Sequence, residues 1–258
     1  MFPTRLAHYL PFLCLLLLCG GGGGGSDSGG GTTTPPPSGS NIATLPARPD
    51  SDPTDWWNSS VFYEVFVRSF ADSTQGSKAG DGIGDFQGLR ERLDYLNDGD
   101  PNTTDDLGVN ALWIMPMMQS PSYHGYDVTD YYTVERDYGS NADFKAFLDE
   151  AHSRGIRVIL DLVLNHASSQ HERFVSSRNS GSPYRDWFVW RANNPGDVGP
   201  WGQTVWHRAD NSWYYGVFWS GMPDWNLSNP DVTEYLHGVS RYWLETVGVD
   251  GFRLDAVR

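Results

Sequence analysis

Cysteine is nearly absent: the 258 residues hold two, Cys14 and Cys19, both within the first 20 positions. The body of the chain therefore has no disulfide staple and no thiol nucleophile, which excludes cysteine chemistry as a mechanism. Basic residues are also scarce, 18 Lys and Arg against 32 Asp and Glu, for a formal net charge of -14. With no Lys/Arg-rich block, a nucleic-acid backbone is excluded as a partner and a neutral substrate fits better. The apolar run from Leu10 to Leu18 is interrupted by a proline and is too short to span a bilayer. Gly-x-Gly-x-x-Gly does not follow the first apolar strand, so the dinucleotide-binding fingerprint is missing.

Aromatic residues, by contrast, reach 14%. Of eleven tryptophans, seven (Trp187, Trp190, Trp201, Trp206, Trp213, Trp219 and Trp225) fall in one stretch. Core packing is the ordinary use of such rings, but a cluster in one insertion also suits stacking on sugars. With 39% apolar residues the chain can fill one sizeable domain, or part of a larger one.

Residues 1–19 read as an export signal, with Arg5 ahead of the apolar run and no stop-transfer pattern. Cys19-Gly20 and the Gly/Ser/Thr/Pro tract behind it resemble a bacterial lipoprotein signal followed by a flexible tether over 20–55. The small residue normal before an acylated cysteine is replaced by Leu18, so plain secretion is the alternative. The expected location is outside the cell, either lipid-anchored at the outer surface of a membrane in the bacterial envelope or secreted.

From Trp56 onward, strand and helix signals alternate. Val61 to Val67 is an apolar strand, and Asp85 caps a helix with Leu89, Leu93 and Leu96 on one face. Ala111 to Met115 is a second buried run. Asn141 is then expected as a cap, with Phe144, Phe147, Leu148 and Ala151 as the apolar stripe and Gly155 as the stop. Arg157 to Leu164 is a third strand. After an aromatic, Gly-rich insertion, Asn229-Pro230 opens a helix burying Val232, Tyr235, Leu236 and Val239, and Gly248 closes it before a fourth strand. Strands apolar on both faces suit a parallel sheet covered by helices, an α/β fold. Four βα steps fit an open doubly wound sheet or half of a (β/α)8 TIM barrel; the missing fingerprint favours the barrel, whose chemistry sits at the C-terminal ends of the strands.

Candidate residues cluster at those ends. In the fourth strand, Arg253 and Asp255 point to one face, where a guanidinium can keep a carboxylate ionised. Asp161 and Asn165 are expected on one face of the third strand, with His166 next in the loop. After the second strand comes Tyr123-His124-Gly125-Tyr126-Asp127, where glycine admits close backbone approach and Tyr126 offers a flat ring.

Six ordered segments carry a resemblance: Tyr63 to Phe70, Asp81 to Phe86, His124 to Asp127, Asp161 to His166, Met222 to Asn226, and Gly251 to Arg258. Together they resemble the signature segments of the α-amylase family of glycoside hydrolases, from about Trp56 to the last residue. The resemblance implies a retaining mechanism on α-glucosidic bonds in a (β/α)8 barrel. This chain would supply about the first half: strands 1–3 over 56–166, an inserted domain B over 167–226, and 227–258 running on to strand 4. It implies Asp255 as nucleophile, Arg253 as its charge partner, Tyr126 and His166 as sugar-binding residues, and Asp161 as a brace. The family's acid/base Glu belongs to the next strand, so the residues given are expected to be an inactive part of an enzyme.

The resemblance also implies calcium. Asp81, Ile83 and Asp85 match the family's calcium loop, with Asp72 set apart by an insertion over 73–80, and Asn165 marks a second place. As to substrate, exo-acting relatives usually carry an Asp where this chain has Tyr123, which favours internal cleavage of starch-like α-1,4-glucans. The Met222 to Asn226 segment is close to oligo-1,6-glucosidase-like members, so an α-glucosidase or a trehalose or maltooligosaccharide transglycosylase stays open, as does a non-catalytic glucan-binding surface protein.

Overall fold

Residues 55–256 are described in the computed structural model. The expected export signal and nearly all of the tether lie outside the described residues.

The chain enters through β1 (Phe62–Val65), shorter than the apolar run suggests because Val67–Phe70 turns into the brief helix α1. Asp85 caps α2 (Phe86–Arg90) by accepting a hydrogen bond from the Gly88 amide. The single helix expected here is in fact two, since Arg92 leaves helical geometry before α3 (Leu93–Leu96). Leu89, Leu93 and Leu96 nevertheless all bury completely. Strand β2 (Ala111–Ile114) follows, then the antiparallel pair β3 (Met118–Gln119) and β4 (Asp130–Val134).

Ser140, not Asn141, caps α4 (Asn141–Ser153), through a reciprocal capping box with Asp143. The Asn141 side chain instead accepts from the Val134 amide and donates to the Tyr132 carbonyl and the Tyr242 hydroxyl. It thereby joins β4, α4 and the last helical segment. The stripe of Phe144, Phe147, Leu148 and Ala151 is buried, and Gly155 takes the left-handed φ of +76° that ends the segment.

After β5 (Arg157–Val163) the chain forms α5 (Glu172–Ser177) and a three-stranded antiparallel sheet of β6 (Trp190–Arg191), β7 (Trp206–Ala209) and β8 (Ser212–Tyr215), with β8 in the middle. Its base is closed where Ala167 N donates to the Pro223 carbonyl and Trp225 N to the Asn165 carbonyl. The seven tryptophans divide: Trp187, Trp206 and Trp225 are buried, Trp190 and Trp213 half-buried, Trp201 and Trp219 exposed. Asn229 caps α6 (Pro230–Arg241), which runs on as a π-helical segment, Tyr242–Val247, until Gly248 stops it at φ +97°. Strand β9 (Gly251–Asp255) ends the described fold.

The main sheet is parallel, in the order β1-β2-β5-β9. Its strands appear in sequence order, each reached through helical crossovers, as a barrel wall requires. Register and alternation give its faces different chemistry. Leu112, Ile114, Val158, Leu160 and Leu162 share one face and join the core with Phe86, which packs on Phe144 and Phe147 at ring distances of 5.0 and 5.6 Å. The other face is mixed: the register aligns Trp113 with Glu64 and with Ile159, Asp161 with Arg253, and Val163 with Asp255, so the apolar side chains expected there share it with charged ones.

Candidate active site

Charged residues of the mixed face gather at the C-terminal ends of β5 and β9. Asp161 and Arg253 are register partners across these strands, and Arg253 Nη1 donates to both Asp161 oxygens at 3.1 Å and to Asp255 Oδ1 at 2.7 Å. One guanidinium thus serves two carboxylates. Its plane lies over the Trp113 ring, 4.9 Å from the centroid, so β2 supplies a floor beneath the charge.

The Asp161 side chain has no exposed surface. Burial pushes its carboxyl up to about 6, against the pull of Arg253 and with Asp255 adding to the rise. Burial likewise works against the charge on Arg253, but the two carboxylates raise its pKa above the ordinary value. The group that braces the arginine is therefore itself easily protonated.

Tyr126 closes the site from the loop after β3, its hydroxyl donating to Asp161 Oδ2 at 3.2 Å. Burial raises the phenol pKa and keeps it protonated. The preceding Gly125 is required twice over: its φ is +79°, and a Cβ there would stand 2.6 Å from the Pro116 carbonyl oxygen. Asp127 is buried and accepts from the Ser120 and Ser122 hydroxyls, fixing the far side of this turn.

His166 is 1% exposed, and burial lowers its pKa to about 4, so it is neutral. Its Nε2 lies 3.1 Å from the Tyr126 carbonyl, which can only accept, so the proton sits on Nε2. Nδ1 is left as an acceptor, approached at 3.4 Å by the Asn165 amide. Strand β5 stops at Val163, so Asn165 lies past the strand end rather than on the Asp161 face, a correction to the expected alternation.

The structure thus brings together Asp255, Arg253, Asp161, Tyr126 and His166. The residues expected to ligate calcium, Asp72, Asp81, Ile83 and Asp85, lie apart from this cluster, in the loop ahead of α2. Among the described residues no group of three His, Cys, Asp or Glu side chains is placed to hold a metal. Asp85 is 1% exposed and accepts from Ser73 N, Ser73 Oγ and Gly88 N. Asp72 accepts from the Gly80 and Gly82 amides, and Asp81 from that of Ile83. A carboxylate offers about four lone pairs, so these bonds within the loop leave oxygens free for a hard cation, and calcium there stands as a proposal.

Two neighbours of the site escaped the sequence reading. Trp113 could have been found from its place two residues into the second apolar run, on the same face as the site. Phe218, whose ring meets the His166 imidazole edge-on at 5.1 Å, carried no local signal, because only the folding of the insertion brings it there.

With this geometry in place, likeness to known proteins is informative. The description "Alpha amylase, catalytic domain" matches residues 64–258. Alpha-amylase 3 of Dictyoglomus thermophilum is 46% identical over 204 residues, 79% of this chain and 37% of its own length. Trehalose synthase/amylase TreS of Mycolicibacterium smegmatis is 43% identical, covering 82% of this chain and 35% of its own. Oligo-1,6-glucosidase of Heyndrickxia coagulans is 37% identical, with 79% and 36% covered. The α-amylase structure from H. orenii superposes with a TM-score of 0.71 at 53% identity, over 77% of this chain and 40% of that one. The chain thus spans little more than a third of the length of these curated relatives. Neighbours at this identity make its parallel sheet part of a (β/α)8 barrel, and the chain belongs to the α-amylase family of glycoside hydrolases.

Proposed function

We propose that this chain contributes the nucleophile side of a retaining glycosidase acting on α-1,4-glucosidic bonds of starch-like glucans. The observation that carries the reading is the contact of Arg253 with Asp255 at 2.7 Å at the C-terminal end of a barrel strand. In this reading the Asp255 carboxylate attacks the anomeric carbon and forms a glycosyl-enzyme, which water then cleaves. Arg253 pairs with the carboxylate and aims it, and Asp161 holds Arg253. Tyr126 presents its ring to the sugar, and His166 lines the same subsite, its Nε2 donating to the Tyr126 carbonyl. No step of this chemistry runs through calcium.

Retaining hydrolysis also needs a protonated carboxyl about 5–5.5 Å from the nucleophile. Asp161 is no substitute, despite its raised pKa, because its carboxyl is enclosed between Arg253 and Tyr126. The acid is assigned to a part of the family's length that this chain does not match, and the described residues alone are expected to bind glucan without turning it over.

Internal cleavage is supported by Tyr123, whose phenol stands where exo-acting relatives usually carry a carboxylate. The α-glucosidase or transglycosylase reading is favoured by one observation, the relatives named trehalose synthase/amylase and oligo-1,6-glucosidase at 43% and 37% identity. Soluble starch given to the intact protein separates them. Loss of iodine colour ahead of free glucose supports the amylase reading; glucose or a rearranged disaccharide appearing first supports the other. Export with a lipid anchor at Cys19 is a separate proposal resting on sequence, tested by metabolic labelling with palmitate.

A further inference from the structure

A fully buried tyrosine on β4 stands behind the candidate site without lining it. Tyr131 has no exposed surface, and burial raises its phenol pKa and keeps it protonated. A hydroxyl enclosed in this way must replace its bonds to water with partners inside the fold. It has two: it donates to the His166 carbonyl at 2.7 Å, and the Trp225 indole Nε1 donates to it at 3.4 Å.

The residues so joined come from three parts of the chain. Tyr131 belongs to β4, His166 to the loop after β5, and Trp225 to the exit of the insertion. The main chain runs the same way, since His166 and Asp224 form an antiparallel bridge. Behind the tyrosine, Trp243 Nε1 donates to the Tyr131 carbonyl at 2.8 Å, which fixes the residue to the last helical segment. The rings of His171, Trp225 and Tyr235 stand 6.0, 6.3 and 6.2 Å from the phenol and leave it little room to turn. His166 is thus held twice by one short stretch of chain, its imidazole by the Tyr126 carbonyl at 3.1 Å and its backbone by the Tyr131 hydroxyl.

We propose that Tyr131 is a positioning residue, whose hydroxyl sets where the His166 ring stands in the sugar subsite and ties that setting to the seating of Trp225. The proposal rests on the glycosidase reading of the site. A hydrogen bond that served stability alone would be met by any carbonyl of the core, whereas this one goes to the residue whose side chain lines the site. Misplacement by about 1 Å costs a reaction about a hundredfold, so a smaller shift at His166 is expected to cost about tenfold.

The test is steady-state hydrolysis of maltoheptaose by the intact protein, with Tyr131→Phe made alone and together with His166→Ala. Phenylalanine keeps the ring and removes only the hydroxyl. In the parent, Tyr131→Phe is expected to lower kcat about tenfold and to change KM less than about twofold. In the His166→Ala background the same substitution is expected to change kcat less than about twofold, because the side chain through which the hydroxyl acts is gone while the carbonyl it bonds remains. An equal fall in both backgrounds, or no fall in the parent, overturns the proposal and leaves the glycosidase reading standing. A Tyr131→Phe protein that no longer folds assigns the hydroxyl to the fold and overturns it as well. If the parent releases no sugar, the glycosidase reading falls and the proposal falls with it.

Discussion

Arg253 lies opposite Asp161 across two parallel strands, and a single nitrogen of its guanidinium holds both oxygens of that carboxylate at 3.1 Å. Because the same nitrogen reaches Asp255 at 2.7 Å, the arginine is shared rather than dedicated to one partner. Asp161 is the enclosed member, with no exposed side-chain surface, while Asp255 keeps 16%. The arrangement makes Asp161 the anchor and leaves Asp255 as the end that can meet a ligand.

Removing the shared cation should therefore damage the fold as well as the site. Arg253→Ala leaves an enclosed carboxylate facing a second one, and is expected to cost about 3 kcal/mol in urea unfolding. Arg253→Lys is expected to recover only part of this, since an ammonium lacks the planar fork and stacks less well on Trp113. Full recovery by lysine would show that charge alone matters.

Stability should fall with acid through a defined window. His166 and His171 are buried and each lowered by burial to about 4, against about 6.5 in an unfolded chain. Between those values the unfolded chain binds their protons and the folded one does not, so their contribution is full above 6.5 and lost as the pH falls toward 4. Asp161 runs the other way: raised to about 6, it favours the folded state below about 4 and loses that contribution as the pH rises through 6. Two groups oppose one, so thermal stability is expected to drop from pH 6.5 to 4. Asp161→Asn removes the opposing group, and the drop should steepen. A shallower drop in that variant would contradict the assignment of these shifts.

The calcium expectation can be checked without activity. The carboxylates of Asp72, Asp81 and Asp85 already accept from amides and a hydroxyl of their own loop. Calcium held there would stabilise the fold, so treatment with EGTA is expected to lower the melting temperature by more than about 5 °C, reversibly on adding calcium. A change of less than about 2 °C would show that the loop's own hydrogen bonds suffice.

Much of this architecture is legible in the sequence because barrel walls depend on local signals. The apolar stripe from Phe144 to Ala151 and the stops at Gly155 and Gly248 follow from helical periodicity and from the φ that only glycine takes cheaply. Arg253 and Asp255 were placed on one face by strand alternation, and the structure has them in contact. What failed to show depended on contacts distant in sequence. Ser140 displaced Asn141 as a cap because the amide of Asn141 has partners in Tyr132 and in Tyr242, a hundred residues on. The approach of Phe218 to His166 needs the whole insertion to fold first. The end of β5 at Val163, which moves Asn165 off the strand face, was hidden by an apolar run that continues one residue further.

The central claim is that Asp255 forms a covalent bond with the sugar. It is tested most directly by exposing the intact protein to a slow fluorinated α-maltosyl fluoride and reading the mass of its peptides. The account predicts one glycosyl adduct, on the peptide carrying Asp255, and none in Asp255→Asn. An adduct on another carboxylate, or turnover surviving in Asp255→Asn, would contradict it.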